Sequence, residues 1–225
     1  MPGLVIFDCD GVLVDSEVIS IAVLRDGLAR NGVMIGEEDA YERFLGRSMA
    51  TILDTLRSDY GLVLPEEEMH ALRDELFHRF EAELKPIPGI RETLERIGGA
   101  RCVASSSQPD RIRLSLRVTG LLALLEPHIY SATMVKRGKP SPDLFLYAAE
   151  QMGAAPEDCL VVEDSPAGIL AARSAGMRVV GFSGGSHARY PGFAERLEAL
   201  GPDFMLSDVR RLPELIAALP AREGR

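Results

Sequence analysis

Leu4-Val5-Ile6-Phe7-Asp8-Cys9-Asp10-Gly11-Val12-Leu13-Val14-Asp15-Ser16 is the stretch on which the reading of this chain turns. Four apolar residues in a row, without polar alternation, predict a strand covered on both faces, as inside a parallel sheet. Directly beyond it stand Asp8 and Asp10, spaced i and i+2, at the carboxyl edge where open α/β sheets bind ligands. Gly11 allows a sharp turn and a close approach to whatever the two carboxylates hold. Taken alone, Asp-x-Asp-Gly fits a polar Asx turn equally well.

Working outward, the runs Cys102 to Ser105, His128 to Tyr130, Leu160 to Val162, Val179 to Phe182 and Phe204 to Leu206 also read as strands. Helical patterns lie between them: Gly89 to Ile97, Asp110 to Val118, Asp143 to Met152, Ala167 to Ala175 and Ala188 to Leu200. Strand and helix in alternation predict an α/β fold, a Rossmann-like parallel sheet with crossover helices. The alternation lapses once. Between Val18 and Lys85, Leu53, Leu56, Leu62 and Leu64, then Met69, Leu72, Leu76, Phe77 and Phe80 recur at helical spacing with charges between them. The expected organisation is therefore a core of residues 1–16 and 87–225 with an inserted helical cap of residues 17–86, the exit hinged at Lys85-Pro86-Ile87-Pro88-Gly89. Ala221 to Arg225 read as a frayed tail.

Composition limits the partners. With 46% apolar and 26% charged residues in a chain of 225, the protein is an ordinary globular one. Against 25 Lys and Arg stand 34 Asp and Glu, and the net charge of −9 disfavours nucleic acid and anionic membrane surfaces. An anionic small substrate would need a metal ion or local cations to reverse that field. Cys9, Cys102 and Cys159 are scattered and odd in number, which argues against a disulfide framework or a zinc site and for a reducing compartment. The four apolar residues after Met-Pro-Gly are too few for a signal-peptide core. A cytoplasmic monomer or weak homodimer is expected.

Polar residues follow the later strands too. Ser105, Ser106 and Ser107 follow one, Lys139 lies a loop beyond the next, and Glu163-Asp164 follow Leu160-Val161-Val162. Parallel strands bring their carboxyl ends together, so these groups can converge. Carboxylates gathered there repel one another unless a divalent cation is present, and an all-oxygen donor set suits Mg²⁺. Each piece has a structural reading as well: the serines as a helix cap, Lys139 as a solvated lysine, Glu163-Asp164-Ser165-Pro166 as a helix start. Those readings leave unexplained why all of them occur in order, each after its own strand.

As a set, these motifs resemble the haloacid dehalogenase (HAD) superfamily, and the resemblance covers nearly the whole chain. The first motif matches Asp8 through Ser16; the second matches Ser105; the family lysine matches Lys139 in Gly-Lys-Pro-Ser-Pro-Asp; the acidic pair matches Glu163-Asp164. The helical insertion is similar to the cap of the β-phosphoglucomutase-like branch. The resemblance implies a Mg²⁺-dependent phosphatase that cleaves a small phosphate monoester, a sugar phosphate or phosphosugar acid, through an aspartyl-phosphate. It implies Asp8 as nucleophile and Asp10 as general acid and base, with Ser105, Ser106 and Lys139 holding phosphoryl oxygens. Mg²⁺ would be held by Asp8, the Asp10 backbone carbonyl and Asp164, with Glu163 acting through water. Glu17 and Gln108, which flank the first two motifs, could contact substrate hydroxyls. Arg47, in Gly46-Arg47-Ser48 between two cap helices, could meet an anionic substituent or simply face solvent.

Three rivals remain. A β-phosphoglucomutase-type mutase shares the aspartyl-phosphate, but mutases usually carry His where this chain has Ser20, and basic residues near Met49 and Leu76. A phospho-accepting signalling domain would be about half as long, with its acceptor on a middle strand. A dehalogenase should lack Asp10, because displacing halide needs no acid. Gly181-Phe182-Ser183-Gly184-Gly185 mimics a serine-hydrolase elbow, but no acid stands between Ser183 and His187, the last histidine.

Overall fold

The computed structural model describes residues 2–219. At its centre is a six-stranded sheet in the order β3-β2-β1-β4-β5-β6, and every neighbouring pair is parallel. The strands are β1 (Leu4–Phe7), β2 (Ala100–Ser105), β3 (Ile129–Ser131), β4 (Cys159–Glu163), β5 (Arg178–Phe182) and β6 (Phe204–Leu206). Alternate side chains enter opposite layers: Val5, Phe7, Val103, Leu160 and Val162 join one apolar cluster, and Leu4, Ile6, Cys102, Ala104 and Val161 the other. Both faces are covered, which is why the strands read as unbroken apolar runs.

Between β1 and the next core helix the chain forms four helices, α1 (Glu17–Arg30), α2 (Glu37–Phe44), α3 (Met49–Tyr60) and α4 (Glu66–Glu83). Their buried stripes, including Leu24, Leu28, Leu56, Leu72 and Phe80, face one another and leave the charges outside. The chain enters and leaves this helical unit side by side. Asp15 N donates to Lys85 O at 2.9 Å, and Ile87 N donates to Leu13 O at 3.0 Å.

Beyond it follow α5 (Ile90–Arg96), α6 (Pro109–Val118), α7 (Leu122–Leu125), α8 (Asp143–Gln151), α9 (Pro166–Ser174), α10 (Phe193–Glu198) and α11 (Leu212–Ala218). Helices α5, α6, α7 and α11 cover one face of the sheet; α8, α9 and α10 cover the other. The expected helix from Ala188 to Leu200 is broken. A 3-10 turn at Ser186–Arg189 gives way to Pro191-Gly192, and α10 begins only at Phe193, because proline offers no N–H and Gly192 adopts φ 76°. The short α7 and the terminal α11 were not anticipated, and the expected tail from Ala221 lies outside the described residues. Among the described residues no helix is long and apolar enough to cross a membrane.

Candidate active site

The strand order reverses direction at β1, whose neighbours are β2 on one side and β4 on the other. A crevice opens at such a switch point, at the carboxyl ends of the strands. Phe7 pairs with Val103 and with Val162, so Asp8, Ala104 and Glu163 emerge at the same level. Asp8 N donates to Val162 O at 3.0 Å, which carries the sheet ladder up to Asp8 itself.

Lys139 reaches into this level from the loop after β3. Its Nζ lies 2.8 Å from Asp8 Oδ1, 2.5 Å from Glu163 Oε1 and 3.0 Å from the Ala104 carbonyl, satisfying all three donors in a nearly water-free setting. Glu163 is fully buried, and its other oxygen accepts from Ser165 N and Ser165 Oγ, each at 2.9 Å. Ser165 Oγ in turn accepts from Gly168 N at 3.0 Å and caps α9. The expected helix start and the expected acidic motif are therefore the same residues. Carboxylate oxygens of Asp8, Glu163 and Asp164 lie within 4.8 Å of one another, all buried.

Burial pushes the Asp8 carboxyl well above its ordinary range; Lys139 pulls it down, and Glu163, Asp164 and Asp10 push it further up. Asp164 is raised likewise, by burial first and then by Glu163. Burial works against the Lys139 ammonium, but Asp8 and Glu163 outweigh it and hold the lysine charged. A cluster with this excess of negative charge favours a cation.

Asp10 behaves differently. Its side chain stands outside the cluster and is gripped by three donors: Ser16 Oγ at 2.6 Å, Ser107 Oγ at 2.6 Å and Arg111 Nη2 at 2.8 Å. Burial would raise its pKa, but the Arg111 charge and the serine hydrogen bonds prevail and hold it below the usual carboxylate range. Two carboxyls two residues apart thus sit in opposite surroundings, Asp8 raised by burial and its carboxylate neighbours, Asp10 lowered by Arg111 and the serines. Gly11, at φ 76°, makes the turn between them and Val12; a Cβ there would lie 1.8 Å from Asp164 Oδ2.

The remaining sequence candidates scatter. Ser105 is buried at the end of β2, and its Oγ accepts from Ser107 N at 3.1 Å, so it shapes the loop. Ser106 is half-buried, and among the described residues its hydroxyl has no hydrogen-bond partner. Gln108 is the exposed N-cap residue of α6. Glu17, at the start of α1, is buried beside the site; burial, then Asp10 and Asp164, pushes it up to about 8. Arg47 is exposed, but the residue before it, Gly46, packs directly on Ser165. Cys9 lies in the core, as its position between the two aspartates implies.

The profile of the haloacid dehalogenase-like hydrolases matches residues 5–182. The chain belongs to this family. This hydrolase is 33% identical over 184 residues to the 6-phosphogluconate phosphatase of Escherichia coli (strain K12), covering 81% of this chain and 83% of the relative. It is 31% identical over 196 residues to the beta-phosphoglucomutase of Bacillus subtilis (strain 168), covering 80% and 83%. Its fold matches the crystal structure of a conserved haloacid dehalogenase-like protein from Agrobacterium tumefaciens with a TM-score of 0.83 at 41% identity, covering 97% of this chain and 99% of that one.

Sequence reasoning missed part of this hydrolase's site. Ser16 and Ser107 bind Asp10, and Ser131 Oγ holds the Ser107 carbonyl at 2.7 Å. His187 is fully buried with Nε2 3.0 Å from Asp164 Oδ2; burial lowers its pKa and keeps the ring neutral. Arg111 gave only one signal, its place in the first turn of a helix that starts at the site edge.

Proposed function

We propose that the protein is a phosphatase of small phosphate monoesters, working through an aspartyl-phosphate on Asp8, with residues 17–86 as its cap. The observation that carries this reading is the buried Asp8–Lys139–Glu163 arrangement, with Asp10 held apart from it by donors of its own. In the first half-reaction an Asp8 oxygen attacks phosphorus, the ester P–O bond breaks, and the departing alkoxide takes a proton from Asp10. In the second, water gives a proton to Asp10 and attacks phosphorus, releasing phosphate and the Asp8 carboxylate. Asp10 therefore ends each cycle carrying the proton it needs for the next. Lys139 and the hydroxyls of Ser105 and Ser106 are the groups for the phosphoryl oxygens.

The buried, all-oxygen donor set of Asp8, Glu163 and Asp164 fits Mg²⁺, with the Asp10 carbonyl as a further ligand. When bound, the ion supplies charge neutralisation for the anionic ester. Glu163 is already engaged by Lys139 and Ser165, so its contribution runs through electrostatics or water.

The substrate class follows from the cap. Glu17 offers a carboxyl for a sugar hydroxyl, Arg47 suits an anionic substituent such as the carboxylate of a phosphosugar acid, and neither side chain has a hydrogen-bond or ion-pair partner among the described residues. The relation to 6-phosphogluconate phosphatase supports this choice. Relatives also include a mutase. Against that reading, Ser20 here hydrogen-bonds Arg111, Leu76 is packed in the cap interior and Met49 is an exposed thioether, so the positions where a mutase would put basic groups are used otherwise.

The test is phosphate release from sugar phosphates, 6-phosphogluconate, phosphoglycolate and nucleotides, with Mg²⁺ or EDTA, by wild type and Asp8→Asn. Release that needs Mg²⁺ and Asp8 is expected. Interconversion of hexose 1- and 6-phosphates without release would establish a mutase, and silence in both assays would point to a phospho-accepting binding protein.

A further inference from the structure

Among the described residues, Arg111 is the arginine whose guanidinium reaches the site carboxylates, at Asp10. It projects from the first turn of α6, and its Nη2 donates to Asp10 Oδ1 at 2.8 Å and to Ser20 Oγ of α1 at 3.1 Å. Its guanidinium carbon stands 5.3 Å from the ring centroid of Phe80, a fully buried residue of α4. Asp10 belongs to the core, whereas Ser20 and Phe80 belong to the helical insertion. The Arg111 Nε is buried and has no hydrogen-bond partner among the described residues. A buried donor left unsatisfied costs stability, so stability alone does not account for the placement.

We infer that Arg111 is a positioning residue: it fixes the Asp10 carboxyl in one orientation and ties that orientation to the seating of the cap helices α1 and α4. This rests on the phosphatase reading above, in which Asp10 delivers the leaving-group proton. Ser16 and Ser107 alone could hold the carboxyl in the core. Ser16 already leads into α1 as its N-cap residue; of the three donors to Asp10, Arg111 is the one that also reaches α4, through Phe80, and the one that places a cation beside the carboxylate that remains after the proton has left. Proton delivery is sensitive to placement, and an error of about 1 Å can cost about a hundredfold.

The test compares two esters using Mg²⁺-loaded enzyme. One is the best sugar phosphate from the panel, whose alkoxide leaving group needs a proton. The other is p-nitrophenyl phosphate, whose phenolate leaves without one. The measured quantity is kcat/KM, which reports steps through aspartyl-phosphate formation and is untouched by the later water attack. Arg111→Met is expected to lower kcat/KM for the sugar phosphate by about ten- to a hundredfold, within the range general acid catalysis supplies, and for p-nitrophenyl phosphate by less than about threefold. Arg111→Lys should recover part of the loss. In an Asp10→Asn background, Arg111→Met should cause no further loss, because its path to the chemistry is gone.

Equal losses on both esters, an unchanged sugar-phosphate rate, or losses that multiply with Asp10→Asn would each overturn the inference. If Arg111→Met does not fold by circular dichroism, Arg111→Gln, which keeps donors without the charge, serves for the same comparison. Wild type that cleaves neither ester would sink the phosphatase reading itself, a result distinct from failure of the Arg111 role.

Discussion

Gly46, on the loop between α2 and α3, lies so close to Ser165 that a Cβ on Gly46 would come within 2.7 Å of the serine Cβ. Ser165 is the residue that caps α9 and holds Glu163. The cap loop thus rests directly on the acidic motif, with the exposed Arg47 as the next residue along it.

That contact separates two effects of mutation. Gly46→Val would prop the loop off Ser165 and raise KM for every substrate, because the cap could no longer seat. Arg47→Ala would leave the loop in place and act selectively. KM for a phosphosugar acid should rise about tenfold or more, the worth of a hydrogen bond to a charged group, while KM for an uncharged sugar phosphate should change by less than about twofold. Equal effects on the two substrates would remove Arg47 from recognition. Steady-state kinetics on 6-phosphogluconate and glucose 6-phosphate decide the matter.

Gly168 sits inside α9, where helix propensity alone predicts that alanine would stabilise the protein by about 0.5–1 kcal/mol. Contact predicts the reverse. A Cβ at Gly168 would lie 1.9 Å from the Glu163 carboxyl, a fully buried group pinned between Lys139 and Ser165. Gly168→Ala should therefore lower Tm and activity together. A raised Tm with full activity would mean that Glu163 can move freely and is not pinned by Lys139 and Ser165.

These two loci show why part of the site was legible and part was not. Asp8, Lys139 and Glu163-Asp164 come together because each follows its own apolar run, and parallel topology brings the ends of such runs together whatever lies between. The sheet was readable for the same reason: Leu4–Phe7 and Leu160–Val162 are continuous apolar strands with no other use. Arg111 could not be read. In sequence it is one of three arginines in Asp110-Arg111-Ile112-Arg113-Leu114-Ser115-Leu116-Arg117, a pattern that looks like a solvated helix face, and only the seating of α4 against α6 turns one of the three inward. His187 was obscured similarly, since Asp164, against which its ring lies, follows another strand. The break at Pro191-Gly192 was in plain view, and the helical pattern on either side hid it.

The cysteines should be inert in the folded protein. Cys9, Cys102 and Cys159 are each no more than 1% exposed, and burial pushes the Cys159 thiol up to about 11, with Asp158 adding to it. At pH 8 such a thiol is thiolate in about one molecule in a thousand, and the thiolate is the reactive form. A chromogenic disulfide reagent should report no reaction over minutes in the native protein and three equivalents in guanidinium chloride. Rapid reaction of one native thiol would show that one of these core positions opens.

Metal addition and charge removal should pull stability in linked directions. The Asp8, Glu163 and Asp164 carboxylates stand within 4.8 Å of one another, and burial and mutual repulsion raise the pKa of Asp8 and of Asp164. A raised pKa in the folded state means that keeping these groups ionised at neutral pH costs the metal-free protein stability. Asp164→Asn removes one of the repelling charges, so the metal-free variant should melt above metal-free wild type. Wild type should gain from Mg²⁺ about 2.7 kcal/mol at a hundred times Kd, since only the folded chain assembles the site. The variant should gain far less, because it lacks a ligand. Differential scanning calorimetry with EDTA and with Mg²⁺ measures both arms. If Asp164→Asn lowered Tm in EDTA and kept the full Mg²⁺ shift, Asp164 would be holding the fold through His187 instead of awaiting a cation.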